Sequence, residues 1–194
     1  METAGTPASV SYRATPVPDA LGLLHGVQVW PLRIHADERG CVGEIFRAEW
    51  LDVPVLQWVM SSSETGVMRG VHLHLRHDDY IVVLRGDVQV GLRDLRPGSP
   101  THSRSASVEL HGSQPTALII PHGVAHGLLM LTSSIYVLGS SHYYDASDEL
   151  GCHWQDPALE LSWARADATL SARDAALPPL QEVAPQVPPW HATG

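Results

Sequence analysis

The chain has 194 residues, enough for one well-packed domain and too few for two of ordinary size. Its formal net charge of −9 at pH 7 argues against a nucleic-acid partner, which needs a basic face to neutralise phosphates. Every basic residue is an arginine, which excludes a Schiff-base lysine and a P-loop lysine.

An irregular segment is followed by a series of short strand-like runs. Residues 1–26 mix Pro, Ala, Ser and Thr without a period, and we expect them to form an irregular N-terminal arm. Apolar runs rich in β-branched residues then recur between turn signals such as Gly86-Asp87. These runs lie at residues 27–34, 55–60, 80–84, 88–92, 117–120, 127–131 and 135–138. Many short strands at this spacing predict an antiparallel sandwich or barrel over residues 27–180.

The C-terminal part carries the only helical signal. Ala and Leu dominate residues 164–176, which predicts a short helical segment there. Residues 181–194 are predicted to be a Pro-rich tail, since proline suits neither a helix interior nor a central strand. No run reaches the apolar length of a membrane span and no signal-peptide pattern is visible, so we expect a cytoplasmic protein without a membrane partner.

Histidines are concentrated near the centre of the chain, which contains 12 of them in all. His72 and His74 lie on one face of a predicted strand, because side chains alternate with period two. Asp79 follows five residues after His74, and the segment from Pro121 to His126 reads Pro-His-Gly-Val-Ala-His. Together these segments resemble the two motifs of the cupin superfamily, which implies an all-β, cupin-type antiparallel β-barrel (jelly roll) with a short helical C-terminal segment.

In metal-binding cupins these positions hold one divalent ion. The resemblance therefore implies His72, His74, Asp79 and His126 as ligands of Fe, Mn, Ni or Zn, a donor set that suits such ions. The alternative is that the same histidines line a polar barrel and bind no ion. Five further histidines fit no constellation and are predicted to be surface or loop residues: His77, His102, His111, His122 and His153.

A second resemblance is more specific, because it rests on an ordered set of motifs over residues 27–180. The motifs are Asp37-Glu-Arg-Gly40 with Glu44, then Gln57, Arg69-Gly-Val-His72, Pro121-x-Gly-x-Ala-His126-Gly, His142-Tyr143-Tyr144, Trp154-x-Asp-x-Ala-Leu-x-Leu-x-Trp163 and Leu170-Ser-Ala-Arg-Asp174. In this order they resemble the dTDP-4-dehydrorhamnose 3,5-epimerase family, a branch of the cupins. The resemblance implies a homodimer that acts on a dTDP-sugar without a required cofactor.

Epimerisation next to a keto group requires a base, a group that stabilises the enolate, and an acid on the opposite face. The resemblance implies His72 as the base and Asp174 as the residue that orients it. Tyr136 or Tyr143 is the expected acid. The expected substrate contacts are Arg39, supplied by a partner subunit, with Glu44, Gln57, Arg69 and His126.

Three positions depart from the family pattern. Asp79 stands where the family has an active-site lysine, Leu138 where it has a catalytic tyrosine, and Val59 where it has a polar residue. The loss of the tyrosine favours epimerisation at one carbon, or a different substrate, over the double reaction. The gain of His74 and Asp79 rebuilds the ligand set of the metal-binding cupins.

Three functions remain open on these residues. The first is a nucleotide-sugar epimerase or isomerase that uses His72 as a base. The second is a metal-dependent isomerase, cyclase or dioxygenase acting on a non-nucleotide substrate. In that case His72 is a ligand, and the nitrogen that binds the metal is unable to take a proton. The third is a non-catalytic binding protein on the same barrel.

Overall fold

The computed structural model describes residues 23–191, and most of its strands form two five-stranded antiparallel sheets. The first sheet contains, in spatial order, β1 (Gln28–Pro31), β9 (Thr116–Ile120), β6 (Asp79–Arg85), β11 (Ser134–Ser140) and β4 (Gln57–Ser63). The second contains β12 (Leu150–Gly151), β5 (Met68–Leu73), β10 (Val124–Met130), β7 (Asp87–Asp94) and β8 (Ser105–His111). A separate hairpin pairs β2 (Ile34–Asp37) with β3 (Gly40–Gly43).

Helical structure is limited to short pieces in the described part of the chain. The α-helices are α1 (Ala172–Ala175) and α2 (Leu180–Val183). Single 3₁₀ turns lie at Ala48–Trp50, Ala146–Asp148, Pro157–Leu159 and Ala184–Gln186. The prediction of an all-β fold with a short helical C-terminal segment is therefore confirmed.

β6 carries a run of apolar residues because side chains on both of its faces are buried. In β6, Ile81 and Val83 belong to the cluster between the sheets, while Tyr80 and Val82 belong to a cluster on the outer face. The outer cluster is covered by residues 45–55. A strand that is covered on both sides reads as a continuous apolar run rather than as an alternating one.

The C-terminal segment covers the outer face of the second sheet. Trp154, Leu159, Leu180, Val183 and Val187 pack there in one cluster with buried residues of β5 and β10. Part of the predicted Pro-rich tail therefore lies against the barrel, because its apolar residues are buried between the prolines. Residues 1–22 of the expected N-terminal arm lie outside the described residues. Within residues 23–191, no helix is long and apolar enough to cross a bilayer.

The predicted helical segment is shorter than its composition suggests. Thr169 makes backbone hydrogen bonds with Gly66 and Met68, and it forms a parallel bridge with Val67. Those contacts hold this stretch in an extended conformation. The helix α1 begins only after Ser171, whose side chain accepts a hydrogen bond from Asp174 N as an N-cap.

A buried carboxylate organises the loop that follows β7. Asp94 accepts hydrogen bonds from the backbone N–H and the guanidinium of Arg96 and from the hydroxyls of Ser99 and Thr101. Burial acts to raise the pKa of Asp94, but these donors outweigh it and lower the pKa to about 2. The ionised form therefore contributes to the stability of the fold.

We predict that Asp94→Asn lowers the free energy of unfolding by about 2 kcal/mol at pH 7. Because the folded-state pKa lies below the ordinary value of 3.8, the contribution is present above about pH 4 and is lost as the pH falls towards 2. Urea unfolding at pH 7 and pH 3 measures it. Equal stability of the variant and the wild type at pH 7 contradicts the prediction.

Candidate active site

A cavity of about 490 Å³ opens between the two sheets. Strands of both sheets contribute to its wall, namely β4, β6 and β11 from the first and β5 and β10 from the second. Most of the site residues predicted from the sequence line it: Gln57, Arg69, His72, His74, Asp79, His126 and Tyr136. The fold therefore brings into one wall side chains that are up to 79 residues apart in the sequence.

The pairing of β5 with β10 sets the positions of two histidines. His72 lies directly opposite His126 in the antiparallel register. The strands approach closely at Gly70, whose φ is +107° and whose added Cβ would lie 2.8 Å from the carbonyl oxygen of His126. Only glycine suits that conformation and that distance. The Arg-Gly-Val-His motif therefore has a structural reason for its glycine.

His72 forms a hydrogen-bonded pair with Asp174. Its Nε2 lies 2.8 Å from Asp174 Oδ1, and the other carboxylate oxygen accepts a hydrogen bond from the N–H of Gly70 at 3.3 Å. Burial acts to raise the pKa of Asp174, but the contact with His72 and the bond from Gly70 outweigh it and hold the pKa below its usual range. An ionised Asp174 accepts the Nε2 proton of His72, which leaves Nδ1 as the basic nitrogen.

Asp79 is the second carboxylate of the site and is surrounded by three imidazoles. Its carboxylate oxygens lie 3.1 Å from His126 Nε2, 3.5 Å from His74 Nε2 and 3.6 Å from His77 Nε2. Asp79 is 1% exposed, and neither oxygen accepts a hydrogen bond of good geometry from the residues described. The side chain thus has charged or polar neighbours without a conventional donor.

Each imidazole of this group has a partner for its other nitrogen. His74 Nδ1 lies 3.1 Å from the carbonyl oxygen of Asp148, and His126 Nδ1 lies 3.1 Å from that of Val124. His77 Nδ1 lies 3.0 Å from the carboxylate of Asp148. Since carbonyl and carboxylate oxygens only accept, each Nδ1 carries a proton. When such a ring is neutral, its Nε2 is unprotonated and faces Asp79.

Burial and charge act in opposite directions on the ionisation of this group. Burial lowers the pKa of His74 to about 4, and the charge of Asp79 offsets only part of that fall. Burial also acts to lower the pKa of His126, but its contact with Asp79 outweighs burial and raises that pKa. Burial acts to raise the pKa of Asp79, and the imidazoles outweigh it and hold the pKa below its usual range. Asp79 is therefore a carboxylate at neutral pH.

The rest of the polar wall includes an arginine, a tyrosine and an amide that were predicted as site residues. Arg69 Nε donates a hydrogen bond to Ser63 Oγ at 3.0 Å. Burial raises the pKa of Tyr136, so its phenol is protonated at neutral pH. The side-chain oxygen of Gln57 accepts a hydrogen bond from Tyr144 N at 2.7 Å. This wall offers donors to an anionic ligand.

Besides Asp174, which pairs with His72 from behind, three of the predicted site residues lie outside the cavity wall. Arg39 is at the turn of the β2–β3 hairpin, with its side chain 83% exposed and paired with Asp37. Glu44 pairs with Arg47, and Tyr143 is 71% exposed. Within the described chain, none of the three reaches His72. Leu138, where the resemblance implied a tyrosine, does line the cavity.

Two members of the site were not predicted from the sequence. His77, predicted to be a surface or loop residue, is 6% exposed and lines the cavity with Glu149. Its ring stacks on that of His74 with the centroids 3.8 Å apart. The spacing His74-x-x-His77 directly after a strand is the signal that could have found it. No comparable signal marks Glu149, which lies in a loop far from His74 in the sequence.

Comparisons with known proteins agree with this geometry. The profile of the dTDP-4-dehydrorhamnose 3,5-epimerase family matches residues 23–182. The spore coat polysaccharide biosynthesis protein SpsL of Bacillus subtilis (strain 168) is 34% identical over 73% of this chain and 97% of its own. The dTDP-6-deoxy-D-glucose-3,5-epimerase of Legionella pneumophila, solved with dTDP-4-keto-L-rhamnose, is 30% identical with a TM-score of 0.80, covering 86% of this chain and 94% of its own. A 3'-monoepimerase of Streptomyces bikiniensis, solved with dTDP-quinovose, is 28% identical with a TM-score of 0.78, covering 86% and 90%.

Proposed function

Because the chain belongs to the dTDP-4-dehydrorhamnose 3,5-epimerase family, we propose that it epimerises a dTDP-4-keto-6-deoxy sugar next to the keto group. Such a step removes a proton from the carbon beside the keto carbon and returns one to the opposite face. It belongs to deoxysugar or specialised-metabolite biosynthesis. The cytoplasmic location of the protein stays a prediction.

The observation that carries the proposal is the 2.8 Å contact between His72 Nε2 and Asp174 in the cavity. With its Nε2 proton held by Asp174, His72 is able to take the sugar proton on Nδ1. The electron pair of the broken C–H bond then moves towards the keto oxygen and forms an enolate. Asp174 stabilises the imidazolium that results, because an adjacent carboxylate favours the charged ring.

Tyr136 is the proposed acid. It lines the same cavity, and its raised pKa keeps the phenol protonated at neutral pH. Tyr143 is a weaker candidate, since its side chain is mostly exposed and lies outside the cavity wall. The phenol of Tyr136 would return a proton to the face of the sugar that His72 does not contact.

Arg69 is proposed to bind the diphosphate of the nucleotide. It lies in the cavity wall, and its planar guanidinium matches phosphate oxygens in a bidentate contact. Gln57 lies in the same wall and is proposed to contact the substrate through its amide nitrogen, since its oxygen is already paired with Tyr144 N. His126 is proposed to affect the bound substrate electrostatically, together with Asp79, which it contacts.

We predict that His72→Asn slows proton exchange by about 10³-fold and Asp174→Asn by about 10²-fold, because the first removes the base and the second only its orientation. The readout is deuterium uptake from D₂O by a dTDP-4-keto-6-deoxy sugar, followed by NMR. His122→Asn is the matched control, since His122 also pairs with an aspartate at 2.8 Å but is 52% exposed. Equal loss in the control would contradict the assignment.

Exchange is proposed to occur at one carbon. Leu138 and Val59 are paired in the β11–β4 register and both line the cavity, so this patch of the wall offers no proton donor. On this strand Tyr136 is therefore left as the proposed acid, with no phenol at position 138 beside it.

We predict that the wild type incorporates deuterium at one of the two carbons beside the keto group, and that Leu138→Tyr adds slow exchange at the other. Leu138→Phe, which adds the ring without the hydroxyl, is expected to leave single exchange unchanged. Position-resolved NMR of the sugar product measures both results. Rapid exchange at both carbons by the wild type would refute single-carbon epimerisation.

A homodimer is proposed from the exposed surface near β4. This edge strand carries exposed apolar side chains, with Trp58 40%, Val59 48% and Met60 70% exposed. Large apolar side chains on an unpaired edge strand favour contact with another chain. The nearby β2–β3 hairpin is exposed along its length, and a partner's hairpin is proposed to bring Arg39 to the diphosphate.

We predict that the protein sediments as a dimer, at about twice its monomer mass of 21.1 kDa. Met60→Glu buries a charge at the proposed contact and is expected to shift the population to monomer. His102→Glu adds the same charge at an exposed loop position outside the contact and is expected to have no effect. A monomeric wild type at micromolar concentration contradicts the proposal.

A further inference from the structure

The cluster around Asp79 lies in the cavity wall beside the proposed base. The ligand-type atoms of His74, Asp79 and His126 all lie within 4.8 Å of one another. All three residues are at least nine-tenths buried, and they come from three different segments of the barrel. Such a group is fixed by the sheet and is not a chance meeting of mobile surface side chains.

The lone pairs of His74, His126 and Asp79 are arranged so that they favour the binding of a positive charge. His74 and His126 each donate Nδ1–H to a backbone carbonyl, so a neutral ring presents a bare Nε2 to the cavity. Both Nε2 atoms face the Asp79 carboxylate, whose oxygens accept no hydrogen bond of good geometry in the described chain. Lone pairs that face a buried carboxylate repel one another unless a proton or a cation lies between them.

We propose that His74 Nε2, Asp79 and His126 Nε2 bind one divalent transition-metal ion. Two imidazoles and one carboxylate are a donor set that such ions take, with positions left open for other ligands. In each histidine the opposite ring nitrogen donates to a carbonyl, which is the usual outer-shell support of a metal-bound imidazole.

His72 is excluded from this ligand set. Its Nε2 is already bonded to Asp174 at 2.8 Å, and it is absent from the groups of ligand atoms that lie together in the described chain. The proposed site therefore uses three of the four ligands expected from the cupin motif. His72 keeps its second nitrogen for proton transfer, so a bound ion and a histidine base are compatible in one cavity.

The role of the ion, unlike its binding, rests on the proposed epimerase function. A divalent cation at Asp79 supplies positive charge close to His72, where an enolate would form. Asp79 occupies the position at which the family resemblance implies a lysine. The ion would restore the positive charge that the lysine supplies in relatives.

The test uses the full-length protein made without a histidine tag, stripped with EDTA and titrated with Co²⁺ alone. We expect about one equivalent of Co²⁺ to bind, with visible d–d absorption, and Zn²⁺ to displace it. Asp79→Asn and His126→Gln should each weaken Co²⁺ binding by more than about 100-fold, beyond the loss of an outer-shell partner. His72→Asn should change it by less than about tenfold.

His111→Gln is the matched control, because His111 pairs with Asp87 at 2.8 Å on the surface and should not affect binding. Uptake below about a tenth of an equivalent would overturn the proposal and assign the positive charge to a proton on His126. Equal loss in His72→Asn would overturn the three-ligand set. If the ligand variants fail to fold by circular dichroism, X-ray absorption of the wild-type Co²⁺ protein decides: two imidazoles support the site, and any other number overturns it.

Binding and function are separated by the deuterium assay. Metal-free protein that exchanges the sugar proton and takes up no Co²⁺ would refute the metal site and leave the epimerase intact. Protein that binds Co²⁺ through Asp79 and His126 but exchanges no proton, with or without the ion, would refute the epimerase and leave the site.

Discussion

The antiparallel pairing of β5 with β10 is the constraint on which the site depends. It sets His72 opposite His126, and on its other side β5 pairs with β12 through Gly151. The chain then continues into the C-terminal segment, which packs on the outer face of the same sheet. This packing places α1 beside β5. Asp174 thereby reaches His72 across 102 residues of sequence. A shift of β5 by one residue would turn every one of its side chains to the opposite face.

The two carboxylates of the site have opposite surroundings. Asp174 contacts one histidine and accepts a hydrogen bond from one backbone N–H. It therefore fixes the orientation of a single ring. Asp79 is buried among three imidazoles, and no residue of the described chain donates a hydrogen bond of good geometry to it. The first arrangement suits an orienting role in proton transfer. The second concentrates negative charge and lone pairs at one point, which suits the binding of a positive charge.

The barrel and the centre of the site were predictable because both are encoded locally. Period-two alternation placed His72 and His74 together, and the apolar runs marked seven of the strands. β8 was not predicted, because its sequence is mainly polar and its exposed face is not apolar. The burial of His77 also escaped, because it depends on Asp148, 71 residues away. The length of α1 was overestimated because backbone pairing of Thr169 overrides the helical preference of the alanines.

The cavity wall also limits which reactions it is able to support. An unbalanced carboxylate near an enolate raises the energy of that enolate, and the effect is large in a buried site where water screens poorly. Asp79 and His72 line the same cavity. A proton or a cation held by the imidazoles would offset that negative charge. With Leu138 and Val59 apolar on the β11–β4 side, the charged chemistry is confined to the wall that contains His72, His126 and Asp79. That confinement is the physical basis of the proposal that proton transfer occurs at one carbon of the substrate.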